Sequence, residues 1–251
     1  MNKFIYRSGL WLGFLFLSLN SYAERNLEKL INNHQSQFED IALKIWDYAE
    51  VGYQEYKSSD LLKRKLSEEG FAIKSNIANI PTAFVAEYGE GLPVIAILGE
   101  FDALPGVAQS SSPFRESYKD NAAGHACGHH LFGAGSAWAS VVIKEWLIAN
   151  NQKGTVRFYG TPAEEGGSGK VYMAREGIFN DVDVMLHWHP GSTSHASPRT
   201  SNSNKSAKFS FKGISAHAAS APDKGRSALD GVESMNMMVN MMREHVPQES
   251  R

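Results

Sequence analysis

The stretch Pro93-Val94-Ile95-Ala96-Ile97-Leu98-Gly99-Glu100-Phe101-Asp102-Ala103-Leu104-Pro105 decides the fold. Pro93 to Leu98 is an unbroken apolar run, which predicts a strand buried on both faces. The run ends in polar and acidic residues. In α/β folds, sites lie beyond the carboxyl ends of such strands.

Working back toward the start, Phe71 to Lys74 and Thr82 to Tyr88 read as strands around Pro81. A helix is predicted over 60–69, capped by Ser58 and Ser59 and stopped by Gly70. Before it, Leu27, Leu30, Ile31, His34, Phe38, Ile41, Ile45 and Tyr48 recur at helical spacing and predict a long amphipathic helix ending near Gly52. The first residues read as a leader. Lys3 and Arg7 precede an apolar core at Gly9–Leu19, and Ser21-Tyr22-Ala23 offers a cleavage site before Glu24. That core is short for a bilayer span. The expectation is therefore a signal peptide at 1–23, an exported protein (periplasmic or secreted) and no stable membrane anchor after cleavage.

Working forward, 105–124 reads as a loop and 131–150 as a buried helix of small and apolar residues. Thr155–Tyr159 is a strand, 171–176 a short helix, and Val182–Trp188 a strand ending at His189-Pro190. Strands alternating with helices around buried apolar runs give an α/β layered sheet. A Ser, Thr and Asn-rich stretch at 191–205 separates this domain, 24–204, from a second unit at 205–251. There Ala207–Lys212 alternates like a half-exposed strand. A helix follows, with Ser227 as N-cap, Asp230 three residues on, and an apolar face of Leu229, Val232, Met235, Val239 and Met242 that reads as core packing. Pro247 ends it. One strand and one helix cannot bury their own apolar faces, so this unit reads as incomplete.

With 42% hydrophobic and 21% charged residues, the composition is that of a soluble globular chain. The formal charge of −2, or −4 once Lys3 and Arg7 leave with the leader, gives no reason to expect a nucleic-acid partner. Cys127 is the only cysteine. In an exported chain it has no internal disulfide partner, which leaves an intermolecular bridge, a buried thiol, a nucleophile or a metal ligand.

Three segments carry chemistry. In Gly124-His125-Ala126-Cys127-Gly128-His129-His130, positions 127 and 129 point the same way on an extended backbone and offer thiolate and imidazole to one ion. Glu164-Glu165 follows a strand and precedes Gly166-Gly167. Adjacent buried carboxylates split their roles, one binding metal and the other accepting a proton from water. In His187-Trp188-His189 the two histidines share a strand face at period two; either can ligate and the other support it. His125 and His130 read as partners that orient ligands. His217 is a polarising donor or a surface residue, His34 is packing, and His195 and His245 are surface.

Taken together, G-E-F-D-A-L-P-G at 99–106, G-H-A-C-G-H-H at 124–130, T-V-R-F-Y-G-T-P-A-E-E-G-G-S-G-K at 155–170, W-H-P at 188–190, F-K-G-I-S-A-H-A-A at 211–219 and G-R-S-A-L-D at 225–230 resemble the zinc-dependent aminoacylase and carboxypeptidase-like amidohydrolases. The resemblance covers roughly residues 27–246. It implies a layered α/β/α metallopeptidase catalytic domain with an inserted α+β lid. It implies that Cys127, His129, Glu165 and His189 bind one or two divalent ions. His187 is the alternative to His189 where the wider family's spacing is followed. A thiolate ligand favours zinc, and the family also accommodates manganese. Glu164 would be the general base. His217 would sit in the lid and reach across to the substrate of a partner protomer, and Asp102 would stand beside the ligands. The implied substrate is an N-acyl amino acid, with aminobenzoyl-glutamate one candidate, and the implied assembly a homo-oligomer through a complete lid. In this family the chain returns from the lid to finish the catalytic domain and supply a further histidine. The expectation is that both domains are incomplete here, which leaves a non-catalytic metal-binding remnant as the alternative.

Overall fold

The computed structural model describes residues 5–116, 123–196, 200, 203 and 205–248, with the backbone alone over 5–25. Contacts divide the chain into two units, with the break between Ser192 and Thr193. The sequence places this boundary at 204/205, in a stretch only partly within the described residues.

In the first unit, helix α1 (Ile5–Tyr48) is continuous, and the described part of the expected leader forms its opening turns. It buries Phe38, Ile41, Ala42 and Ile45, one stripe at helical spacing, while Leu27 and Ile31 stay exposed. Helix α2 (Tyr56–Glu68) begins earlier than predicted. Ser58 and Ser59 do not cap it; they lie inside it and are buried. The capping acceptor is Glu50, whose carboxylate takes the amides of Lys57 (3.0 Å) and Ser58 (2.8 Å). Gly70, at φ +86°, ends the helix.

Strands β1 (Ala72–Ser75), β2 (Phe84–Glu90) and β3 (Val94–Gly99) follow. Next come the short pair β4 (Leu104–Pro105) and β5 (Ala123–Gly124), then helix α3 (His129–Ala149) and strand β6 (Gly154–Gly160). Helices α4 (Glu164–Gly167) and α5 (Gly169–Arg175) lead to β7 (Val184–Leu186). The main sheet runs β1-β2-β6-β3-β7. Its β6, β3 and β7 are parallel, and β1 and β2 are antiparallel to their neighbours.

Alternation along the strands sorts the core into two layers. Phe84, Ala86, Ile97, Val156 and Phe158 face α1, α2 and α3. Ala83, Ala96, Leu98 and Tyr159 face the other way, toward Ile77, Ile80 and Met173 of α5. The chain is an α/β protein with helices on both faces of its sheet, as the apolar run at 93–98 requires. The parallel strands β3, β6 and β7 carry their carboxyl ends to one edge of the domain, and the chemical segments lie there.

The second unit departs from expectation. Ala207–Lys212 forms no strand, because no neighbouring segment among the described residues supplies a ladder; only Ile214 and Arg226 form a bridge. Phe211 instead lays its ring on Gly231, where an added Cβ would come within 2.6 Å of it. Helix α6 (Ala228–Met242) forms as capped, with Ser227 Oγ accepting the Asp230 amide at 3.1 Å. Its apolar stripe is not core packing: Leu229, Val232, Val239 and Met242 are exposed.

Candidate metal centre

His129, the first residue of α3, is fully buried. Its position depends on Gly128, at φ +78°, where a Cβ would strike Pro190 at 2.8 Å. Further along the helix, Gly133 lets α3 pass the Glu100 carbonyl, 2.7 Å from where a Cβ would stand. The ring Nδ1–H of His129 donates to Asp102, with Oδ1 at 3.0 Å and the carbonyl oxygen at 3.1 Å. That bond directs the Nε2 lone pair into the site.

Around Nε2 stand Glu100 Oε2 at 2.9 Å, Glu164 Oε2 at 3.9 Å and Glu165 Oε1 at 4.0 Å. His129 Nε2, Glu100 Oε2 and Glu165 Oε1 are all buried, and none has a hydrogen-bond partner. The first two stand at ion-pair distance, 2.9 Å. Leaving such a group unsatisfied costs about 1–3 kcal/mol each. Carboxylate oxygens gathered around one buried imidazole nitrogen are an arrangement a cation resolves.

Cys127 and His189 complete the set. Cys127 Sγ lies 3.4 Å from His189 Nε2, and ligand atoms of Cys127, His129 and His189 fall within 4.8 Å of one another. Glu100, His129 and Glu164 form a second such group sharing His129. Sulfur, nitrogen and carboxylate donors in two overlapping groups suit one or two divalent ions.

His187 and His189 do not share a strand face. The strand stops at Leu186, and the indole N–H of Trp188 donates to Ser136 Oγ at 2.9 Å. The two histidines diverge around that anchor: His189 turns to Cys127, and His187 Nε2 stands 3.6 Å from Glu100 Oε1.

Electrostatics follow from burial and partners. Burial alone would lower the His129 imidazolium, but Asp102 and Glu100 outweigh it and push the ring up to about 10. Burial would raise Glu100, yet His129, His187 and Lys170 hold its carboxyl well below the usual range. Glu164 is raised, by burial first and then by Glu100 and Glu165. The Cys127 thiol is pushed up to about 12 by burial and by Glu165, Glu164 and Glu100. These surroundings keep the thiol protonated, the reverse of what a cysteine nucleophile needs. A cation placed among these groups inverts that sign.

The remaining histidines sort plainly. His125 Nε2 meets the Ile45 carbonyl at 3.0 Å and its ring lies 5.1 Å from that of His130. His125 thus ties the loop that carries Cys127 to α1, and His130 packs beside it. His34 is more than packing: its Nε2 is 2.7 Å from Glu145 and its Nδ1 3.6 Å from Glu69. His217, in the second unit, accepts the amides of Ala219 (3.2 Å) and Ser220 (3.1 Å) on Nδ1, which makes Nε2–H its donor.

Two acids escape a reading of the sequence for ligands. Glu100 is one, although it is the first residue after β3. The other is Glu55, fully buried, whose only sequence signal is a place at the start of a helix.

Residues 96–230 match peptidase family M20/M25/M40. The chain is 44% identical over 230 residues to a p-aminobenzoyl-glutamate hydrolase component of Escherichia coli (strain K12), covering 90% of this chain and 47% of that protein. It thus spans about half the length of that relative. Among solved structures, a dinuclear metal-binding peptidase of Bacillus subtilis superposes with a TM-score of 0.52 at 29% identity, over 64% of this chain and 44% of that one. The aminobenzoyl-glutamate utilization protein of Klebsiella pneumoniae shares the fold, with a TM-score of 0.52 at 17% identity, over 81% of this chain and 56% of that one.

Proposed function

From the premise that the chain belongs to peptidase family M20/M25/M40, we propose that it serves hydrolysis of the amide bond of an N-acyl amino acid. The observation that carries this reading is the pair of ligand groups that share the buried His129, Cys127–His129–His189 and Glu100–His129–Glu164, with Glu165 Oε1 4.0 Å from His129 Nε2.

Cys127, His129, Glu165 and His189 would hold the ion, with zinc favoured by the thiolate. When bound, a divalent ion supplies Lewis acidity toward the amide carbonyl and toward water. Asp102 orients the His129 ring through Nδ1 and, through Oδ2, holds the Glu165 amide at 2.8 Å. Glu164 is the proton carrier. Its carboxylate is about half exposed, close to His129 yet open to substrate, and burial with the neighbouring Glu100 and Glu165 raises its pKa, in the direction a proton carrier needs. His217 is read as a donor to the carbonyl oxygen of a substrate held by a second protomer, through its Nε2–H. Glutamate N-acylated with aminobenzoate is the substrate of first choice, because the relative at 44% identity is named for that hydrolysis.

Glu164→Gln tests the assignment. With aminobenzoyl-glutamate as substrate, the variant is expected to lower kcat by about 10²–10⁴ with bound metal, counted by mass spectrometry, unchanged. Chelation should abolish turnover in both forms. Wild-type turnover by the metal-loaded variant would sink the assignment.

A further inference from the structure

Glu55 is fully buried, yet it is not at the metal centre. It occupies the N-cap position of α2, where a carboxylate ordinarily accepts amides of its own helix. It makes no such bond; Glu50 performs that task. The Glu55 side chain instead crosses to the loop after β6. Its Oε1 accepts the Ala163 amide at 2.8 Å and its Oε2 accepts the Thr82 hydroxyl at 3.0 Å. Ala163 is a buried non-glycine residue at φ +57°, a conformation that does not hold itself without surrounding restraint. It immediately precedes Glu164-Glu165.

Neighbouring residues of the same segment grip the same loop. Tyr53 donates its hydroxyl to the Gly167 carbonyl at 2.7 Å, and a Cβ on Gly52 would stand 3.0 Å from Ala163 Cα. At the other end Asp102 holds the Glu165 amide. Alternate amides, of Ala163 and Glu165, are thus fastened by two carboxylates, and Glu164 projects between them.

We propose that Glu55 is a positioning residue that locks the left-handed turn at Ala163 and so aims Glu164 and Glu165 at the metal. It touches neither substrate nor ion and acts through the Ala163 amide, while Thr82 holds its other oxygen. The inference rests on the reading of Glu165 as a ligand. A buried acid kept away from its own helix end is explained by this task, since burial without a dedicated partner is costly. The requirement is an acceptor oxygen at this reach rather than a charge.

The test compares the wild-type chain with Glu55→Gln and Glu55→Asp by amide hydrogen exchange at Ala163 and by zinc titration calorimetry. Circular dichroism monitors folding. Glutamine keeps the acceptor, so both readouts are expected to stay within about threefold of wild type. Aspartate is one methylene short. Exchange at Ala163 should rise at least about tenfold and zinc affinity fall by about tenfold to a hundredfold. Any folded variant in which Ala163 exchanges freely while zinc affinity is unchanged overturns the proposal, as does an Ala163 amide still protected in a folded Glu55→Asp. If Glu55→Asp does not fold, an unprotected Ala163 in Glu55→Gln overturns it. A wild-type chain that binds no zinc defeats the metal reading instead, and exchange alone then decides whether Glu55 holds the turn.

Discussion

Helix α3 carries Ala134, Ala137 and Val141 into the layer between the sheet and α1, and buries Phe132 against the rings of His129, His187 and Trp188. Helix α6 carries Leu229, Val232, Met237, Met238, Met241 and Met242 on faces that stay exposed. Both are helical for local reasons, but only α3 has its apolar side covered by other elements of its own unit. A stripe of apolar residues at helical spacing therefore specifies a helix without specifying a core. Core membership comes from partners elsewhere in the chain, and in the first unit those partners are the strands flanking β3.

The largest effect separating the two regions is expected from truncating one side chain in each. Phe158 is fully buried on β6, with its ring centroid 5.5 Å from that of Phe84. Phe158→Ala should cost about 3–5 kcal/mol in urea unfolding, from lost burial plus the cavity left behind. Met238 is 63% exposed, and Met238→Ala should change stability by no more than about 0.5 kcal/mol. Were Met238→Ala as costly as Phe158→Ala, the α6 stripe would be covered in solution and the contrast would fail.

The same contrast explains what could be read in advance. The run at 93–98 fixed its own surroundings, because no half-exposed strand is apolar on both faces, and β3 indeed has neighbours on both sides and helices above and below. The ligand-bearing segments were legible because each concentrates metal-binding side chains within a few residues. Glu100 and Glu55 were not, since an acid next to a strand or at a helix start is ordinary. Their roles come from His129 and Ala163, which lie far along the chain. The paired histidines at 187 and 189 misled for a related reason. Period two holds only within a strand, and the Trp188 bond to Ser136, invisible locally, governs the backbone beyond Leu186. Likewise the alternation at 207–212 predicted a strand that needs a neighbour no local pattern can supply.

The second effect belongs to the buried side alone. Glu55 is pushed up to about 7, by burial first and also by the nearby Asp102, against the hydrogen bonds it accepts from its own amide, from Ala163 and from Thr82. The folded chain thus binds this proton more tightly than the unfolded chain, whose carboxyl titrates near its ordinary value of 4.5. The contribution of Glu55 to stability is fully present below about 4.5 and is lost as pH rises through about 7. Subtracting the stability of Glu55→Gln from that of the metal-free wild type isolates it. The difference should fall by about 3 kcal/mol between pH 4.5 and pH 8. A flat difference would mean that the carboxyl is better solvated than its burial implies.

The smallest effect is expected at the start of α6. Helix α3 begins at Gly128 with no side-chain cap and is held by packing. Helix α6 begins at Ser227, whose hydroxyl accepts the Asp230 amide. With its apolar face uncovered, α6 should lean on that cap more than α3 leans on any local device. Ser227→Ala should weaken α6 by about 1 kcal/mol, seen as roughly fivefold faster exchange of the Asp230 amide. Phe158→Ala should by contrast loosen α3 and leave Asp230 unaffected. If Ser227→Ala leaves Asp230 protected, something other than the cap holds the first turn of α6, and the methionine face is the place to look for it.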